Sequence, residues 1–493
     1  MSTTLAALSL ARRGAAALVV ALPVIAFLVR GGLADPGSVP AGRGVWETTV
    51  GSLLLGLSAA GGATLLAIPA AMVLGRRAGS GLLVGLCLVP LLVPSYVLAI
   101  GWYPVLGSRG LLGGLSSPAP LHTPVGAGLV QAFQLWPIPA LLGAAALARA
   151  DARLDEAARL LAGRGLALRL AMPGLGAGFA VALVLSAGDF GVSGCFTLPT
   201  VSEEVYARYS SLRDHRAAAL AALPLILLLP PLLLVAVRTS GRMRASDQRP
   251  WKDAGPVSRA AFLLVLAVAV GVPVGYLVRT GGAIVPKVAS LHAGEIGSTL
   301  LYAGFGTLLG GALAILGTGV RSRALVEAGF LLPFALPGVI TGLGVLALDR
   351  AAHGGLRDAL GGGTLLVLGI AVRVAWLPWK AIDLTLVTGP DPALEAAAVH
   401  GAGPLARWCR ILAPRSAPAF AAGLAAAFLL AVGEIGVVVL LLPPGDSTLS
   451  VRIFDMIHYG YNANVAALCL VMAGVLVLAV PLVVSARDAW RRA

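Results

Sequence analysis

The sequence predicts an all-α, polytopic membrane protein of about twelve transmembrane helices, built as two six-helix repeats. Three observations predict it. Of 493 residues, 58% are hydrophobic and 12% charged, with a mean hydropathy of +0.91. A soluble chain of this length could not hide so much apolar surface. Apolar runs long enough to cross a ~30 Å bilayer core, each about 20 residues, recur along the chain. The pattern of small, polar and basic residues in the first half then returns in the second.

In order, the spans fall near 14–30, 48–74, 80–104, 124–148, 174–195 and 217–238, then 259–278, 297–319, 325–348, 363–387, 416–442 and 464–485. Arg12 and Arg13 before the first run resemble the start of a signal peptide. No small-residue cleavage site follows and further spans do, so that run is read as a retained first helix. Pro and Gly inside spans are tolerated because neighbouring helices satisfy the freed backbone groups.

The halves match segment by segment. Residues 47–77 match 295–323, 89–101 match 332–344, 135–142 parallel 376–383, and 188–191 parallel 433–436. Residues 1–240 therefore form the first repeat (core 48–238) and 259–493 the second (core 297–487). The polar, basic, Pro-containing stretch 241–258 is the linker. Two repeats of one orientation imply a pseudo-two-fold axis along the membrane normal.

The net charge of +14 could point to nucleic acid. In a membrane protein it reads as basic loops retained inside. With the N-terminus inside, the inner segments carry about twice as many Arg and Lys as the outer ones, so both termini are expected in the cytoplasm.

Several chemistries are missing. Cys87, Cys195, Cys409 and Cys469 form no CxxC pair, so neither a disulfide framework nor a metal site is indicated. The lysines are Lys252, Lys287 and Lys380, and none follows a phosphate-cradling glycine loop. There is no H-E-x-x-H and no G-x-S-x-G. No catalytic residue, metal or cofactor is assigned to this chain, and a membrane enzyme is disfavoured.

Two charged segments stand out, each leading from the fourth span of its half to the fifth. The second, within 391–418, carries Glu395, Ala396, Ala397, Gly401, Ile411 and Pro414, spaced E-A-A-x3-G-x9-I-x-x-P. Asp391 suits an N-cap and Pro392 the first helical position. Gly401 and Gly403 should stop that helix, and 404–412 can form another at an angle. The small Ala396 and Ala397 let another surface approach closely. The first copy has Glu156, Ala157, Ala158, Gly163, Met172 and Pro173. Its glycine comes one position later and its proline two earlier. One such segment could be an ordinary amphipathic loop; two at matching places argue otherwise.

This spacing resembles the E-A-A signature of inner-membrane permease subunits of ABC importers, with Ala413 where leucine is usual. The resemblance covers about 48–238 and 298–487. It implies that Glu156, Ala157, Ala158, Gly163 and Pro173, with Glu395, Ala396, Ala397, Gly401 and Pro414, belong to coupling segments. These would dock on two cytoplasmic ATPase subunits, with a solute-binding protein outside. ATP-driven closure of the ATPases would rock one half against the other. The fused two-half form looks like ferric-iron, thiamine and phosphonate permeases. Segments 188–212 and 433–460 look most like the ferric-iron group, so ferric iron is the expected cargo, with thiamine, phosphonate or polyamine as alternatives. Twelve helices in two repeats also occur in ion-coupled secondary transporters, the rival class.

Ionisable residues inside spans are costly and are functional candidates by default. Asp189 and Glu434 occupy matching positions in the fifth spans. Arg373 and Lys380 lie seven apart on one face of the fourth span of the second half. Gln131 and Gln134 lie in its first-half equivalent. Either Asp189, Glu434, Arg373 and Gln134 line a translocation pathway, with Arg373 paired to Glu434, or the acids cap helix breaks and Lys380 snorkels. The outer segments 34–46, 108–123, 199–216 and 443–464 offer surfaces to a delivering protein, with Glu203, Glu204, Arg208 and Arg213 as mixed charge.

Overall fold

The computed structural model describes residues 2–33, 44–76, 81–108, 110–112, 118–148, 165–211, 213–241, 255–318, 323–351, 363–386 and 392–492. Among them every regular element is a helix. Helices α1 (Ser2–Leu33), α2 (Val45–Arg76), α3 (Gly81–Leu92), α4 (Ser95–Leu106), α5 (Pro124–Leu135) and α6 (Pro137–Ala148) lead to the first charged segment. After it come α7 (Leu166–Ala187), α8 (Gly191–Cys195), α9 (Val201–Ser210) and α10 (His215–Gly241). The second half opens with α11 (Pro256–Leu266), α12 (Val272–Gly281) and α13 (Val285–Leu291), then α14 (Ala293–Gly317), α15 (Arg323–Ala335) and α16 (Gly338–Ala351). It continues with α17 (Thr364–Val374), α18 (Trp376–Leu386), α19 (Pro392–Val399) and α20 (Pro404–Arg407). It ends with α21 (Ala413–Gly433), α22 (Val438–Leu441), α23 (Leu449–His458) and α24 (Ala463–Arg492).

Eight helical stretches among the described residues are long and apolar enough to span a membrane, and three bent pairs raise the number to 11. The apolar start of α24, Ala463–Leu478, lies at the twelfth expected place. The chain is an all-α, multi-pass membrane protein. Three of the expected spans are not straight crossings: 124–148 bends by 48° between α5 and α6, and two others bend more sharply. The segments read as 80–104 and 325–348 bend by 85° between α3 and α4 and by 107° between α15 and α16. The cause is local. Pro94 and Pro337 cannot donate to the helical ladder, and each disfavours helical backbone in the residue before it. Pro94 itself sits at φ −56°, ψ 148°.

The helices cluster into two compact units that do not coincide with the sequence halves. The N-unit comprises residues 33–290 and 453–471; the C-unit comprises 1–32, 291–452 and 472–493. Each holds the first span of the other half. In the C-unit α1 lies on the bent pair, and a Cβ on Gly344 would collide with the Pro23 backbone. In the N-unit α12 does the same, with Gly101 against Pro273. Gly101 and Gly344 are equivalent in the aligned 89–101 and 332–344 segments. Both lack a Cβ because a proline-bearing helix crosses there in backbone contact.

Each unit also ties the helix after its fifth span back to its second by the same bond. The Val201 N–H donates to Ser52 Oγ at 2.9 Å in the N-unit, and the Leu449 N–H donates to Thr299 Oγ1 at 2.9 Å in the C-unit. Thr200 and Thr448 then take the N–H of Glu203 and Val451, each at 3.5 Å.

Candidate functional site

The second E-A-A segment builds the coupling candidate. Pro392 opens α19 at its first position, where a missing N–H costs nothing. The helix ends in a Schellman turn. The Gly401 N–H donates to the Ala398 carbonyl at 3.1 Å and the Ala402 N–H to the Ala397 carbonyl at 2.9 Å. Gly401 has φ +77°, which explains why glycine follows the two alanines at this distance. Glu395, Ala396 and Ala398 are exposed, and Val399 is 85% exposed. The helix therefore offers a small-residue, partly apolar face with one acid.

Residues 404–412 depart from the expectation of a separate angled helix. After α20, residues Trp408–Leu412 form a π-turn that runs directly into α21. The Ala413 N–H reaches back to the Trp408 carbonyl, and Pro414 next to it has no N–H to restore the tighter ladder. Pro414 is thus an element of the fifth span's entry. Pro173 lies exposed inside α7. Glu156, Ala157, Ala158 and Gly163 lie outside the described residues.

The second candidate is the pair of helix breaks. In the N-unit, Gln134 Nε2 donates to the Val93 carbonyl at 2.7 Å, at the α3–α4 bend. Asp189, in the gap between α7 and α8, accepts the Val192 N–H on Oδ2 at 2.7 Å and the Ser95 hydroxyl on Oδ1 at 2.8 Å. Gln131 Oε1 accepts the buried Ser186 hydroxyl. In the C-unit, Arg373 Nη1 donates to the carbonyls of Pro333, Phe334 and Leu336 at 2.6, 2.7 and 2.5 Å. Arg373 Nε reaches Glu434 Oε2 at 3.4 Å, and Glu434 Oε1 accepts the Val437 N–H at 3.2 Å.

The logic is the same in both. Proline at the bend strands carbonyls at the end of one half-helix, and in lipid these must find donors inside the protein. The fourth span supplies the donor. The acid of the fifth span caps the short helix that follows it, α8 or α22, where a carboxylate suits both the open N–H groups and the dipole. One part of each sequence reading is seen here: the acids cap the breaks, and Arg373 pairs with Glu434.

The structure revises one alignment. The breaks at Trp136 and Ala375, and the collisions Cβ atoms would make at Gly178 with Pro139 and at Gly423 with Pro378, set Gln134 opposite Arg373. Residues 376–383 therefore correspond to 137–144, two positions on from the sequence match. Lys380 does not snorkel. Its Nζ donates to Glu327 Oε1 at 2.7 Å and to Asp383 Oδ2 at 3.4 Å, with both acids buried. Glu327 and Asp383 escaped the sequence reading, although each is an acid within an apolar span. On the outer side, Glu204 and Arg208 form a buried 2.7 Å ion pair and are withdrawn from any docking surface.

No protein-family model matches the chain. It is 31% identical over 169 residues to a Salmonella paratyphi A protein named as the permease, PhnV, of a 2-aminoethylphosphonate transport system; this covers 34% of this chain and 62% of that protein. It is 31% identical over 181 residues to a probable sulfate transport system permease protein, cysT, of Chlorokybus atmophyticus, covering 33% and 63%. With the corresponding Nephroselmis olivacea protein it shares 29% over 231 residues, covering 41% and 80%. The chain thus spans less than two thirds of the length of the first two relatives. The chain is therefore similar to permease proteins of solute transport systems. The named kin serve 2-aminoethylphosphonate and sulfate systems.

Proposed function

We propose that the chain is a two-repeat permease of an ATP-driven importer, receiving solute from an extracytoplasmic binding protein and force from two cytoplasmic ATPase subunits. The carrying observation is α19: an exposed eight-residue helix, closed by a Schellman turn at Gly401, that presents Glu395, Ala396 and Val399 to a partner. The bias of basic residues favours a cytoplasmic position for it and for both termini. The repeat reading is supported by the matched Ser52 and Thr299 bonds and by the matched caps of Asp189 and Glu434. The coupling segments are 155–173 and 391–418, and Asp189, Glu434, Arg373 and Gln134 lie beside the pathway.

For the cargo we favour a small oxyanion. The relatives are named for phosphonate and sulfate systems, whereas ferric iron rests on the likeness of 188–212 and 433–460 alone. The test is uptake by proteoliposomes containing the chain and its ATPase subunits. 2-Aminoethylphosphonate, sulfate and ferric iron are each offered with a cognate binding protein. ATP-dependent accumulation of an oxyanion is expected. Accumulation that ignores ATP and collapses with a proton or sodium gradient would instead make the chain a secondary transporter.

A further inference from the structure

One interface differs sharply between the repeats. In the C-unit, α15 and the α17–α18 span meet as an antiparallel ladder. Arg373 caps the end of α15 through three carbonyls. Phe334 lies on Trp376 with centroids 4.7 Å apart, and Phe330 stacks on Trp379 at 5.5 Å and 10°. Trp379 Nε1 also donates to the Gly317 carbonyl at 3.1 Å. The buried Glu327–Lys380–Asp383 cluster closes the far end. Glu327, Phe330 and Phe334 share one face of α15, at the spacing of helical neighbours.

In the N-unit α3 and α6 are again in contact, and the equivalent positions are Val84, Cys87 and Leu91 on α3 and Pro137, Ala140, Leu141 and Ala144 on α6. None is aromatic or charged. At the bend, Gln134 ties to the Val93 carbonyl. Smooth aliphatic contacts resist sliding weakly, whereas stacked aromatics and a buried ion cluster have one favourable register.

We propose that α15 and α18 form one rigid body, with Lys380 and Glu327 as its positioning residues, and that α3 and α6 form a sliding joint. α18 leads into the segment that carries α19. On the permease reading, force arriving at α19 therefore moves the bent third span of the second half directly. The first half yields at its α3–α6 contact. The two halves have unequal mechanical roles.

The test places spin-label pairs on the full chain in nanodiscs, with the exposed Cys409 changed to Ser and the three buried cysteines kept. One pair sits at Leu325 and Leu384, which are 83% and 54% exposed. The other sits at the exposed Gly85 and Ala148. Pulsed dipolar spectroscopy should give a narrow distance distribution for 325–384 and a distribution about twofold broader for 85–148. Lys380→Met should broaden the 325–384 distribution about twofold, and Lys380→Arg should keep it narrow. If Lys380→Met does not fold, Glu327→Gln takes its place, since it keeps the shape and weakens the ion pair. Equal widths for the two pairs, or no change on breaking the cluster, would overturn the proposal. With ATPase subunits added, 325–384 should hold its distance through the ATP cycle while 85–148 shifts. Absence of ATPase binding would count against the permease reading and leave the width comparison standing.

Discussion

At Pro94 one stranded carbonyl, that of Val93, takes one N–H from Gln134; at Pro337 three carbonyls crowd one nitrogen of Arg373. Around the first bend the acid is Asp189 and its second donor is the Ser95 hydroxyl. Around the second, position 338 is glycine, and a Cβ there would collide with Glu434 Oε1. The longer glutamate takes the space a serine would use, and arginine replaces the hydroxyl as donor. One break is held by neutral hydrogen bonds plus a capping acid, the other by an ion pair that also caps a helix end. The same geometric problem thus has a cheap and an expensive solution. The expensive one lies where the aromatic and ionic ladder also lies.

This difference predicts unequal sensitivity. Arg373→Met leaves Glu434 and three carbonyls without their donor. It should cost about 3–5 kcal/mol, the scale for breaking a buried ion pair. Gln134→Leu leaves one carbonyl and should cost about 1–3 kcal/mol. Thermal midpoints of the detergent-solubilised proteins, read by fluorescence-detected gel filtration, should rank them in that order; equal midpoints would remove the asymmetry. Gly338→Ala should cost about 1–3 kcal/mol through overpacking against Glu434. Gly401→Ala should cost about 1–2 kcal/mol locally by forcing a side chain into left-handed backbone. Because α19 carries no core, its effect should appear as weaker ATPase binding with an unchanged midpoint. Ser95→Ala is expected to be mildest, about 1 kcal/mol for one hydrogen bond. Charge-neutral Asp189→Asn and Glu434→Gln sharpen a separate point: both keep a capping oxygen, so uptake that survives them would deny the acids a pathway role.

Much of this arrangement could be read from residues alone. Asp189, Glu434, Arg373 and Gln134 were marked by the cost of polar groups in lipid, and the structure brings them to the two breaks. The E-A-A spacing marked α19 because glycine at 401 is a backbone requirement. Other features were hidden. Proline in a membrane helix signals a tolerated kink, and nothing local distinguishes that from bends of 85° and 107°. The exchange of first spans depends on contacts such as Pro23 with Gly344, more than 300 residues apart in sequence. Glu327 and Asp383 carried a signal in their unlikely place within apolar runs, but only the fold discloses that Lys380 lies between them.

The most direct measurement of the central claim is site-specific photo-cross-linking from α19. A cross-linker at Ala396, in the chain co-expressed with its candidate ATPase subunit in the native membrane, should yield a one-to-one adduct with that subunit, lost in Glu395→Lys. If Ala396 instead labels only lipid, or nothing, while the chain still transports its cargo, α19 is no docking helix and the ATP-driven account is wrong.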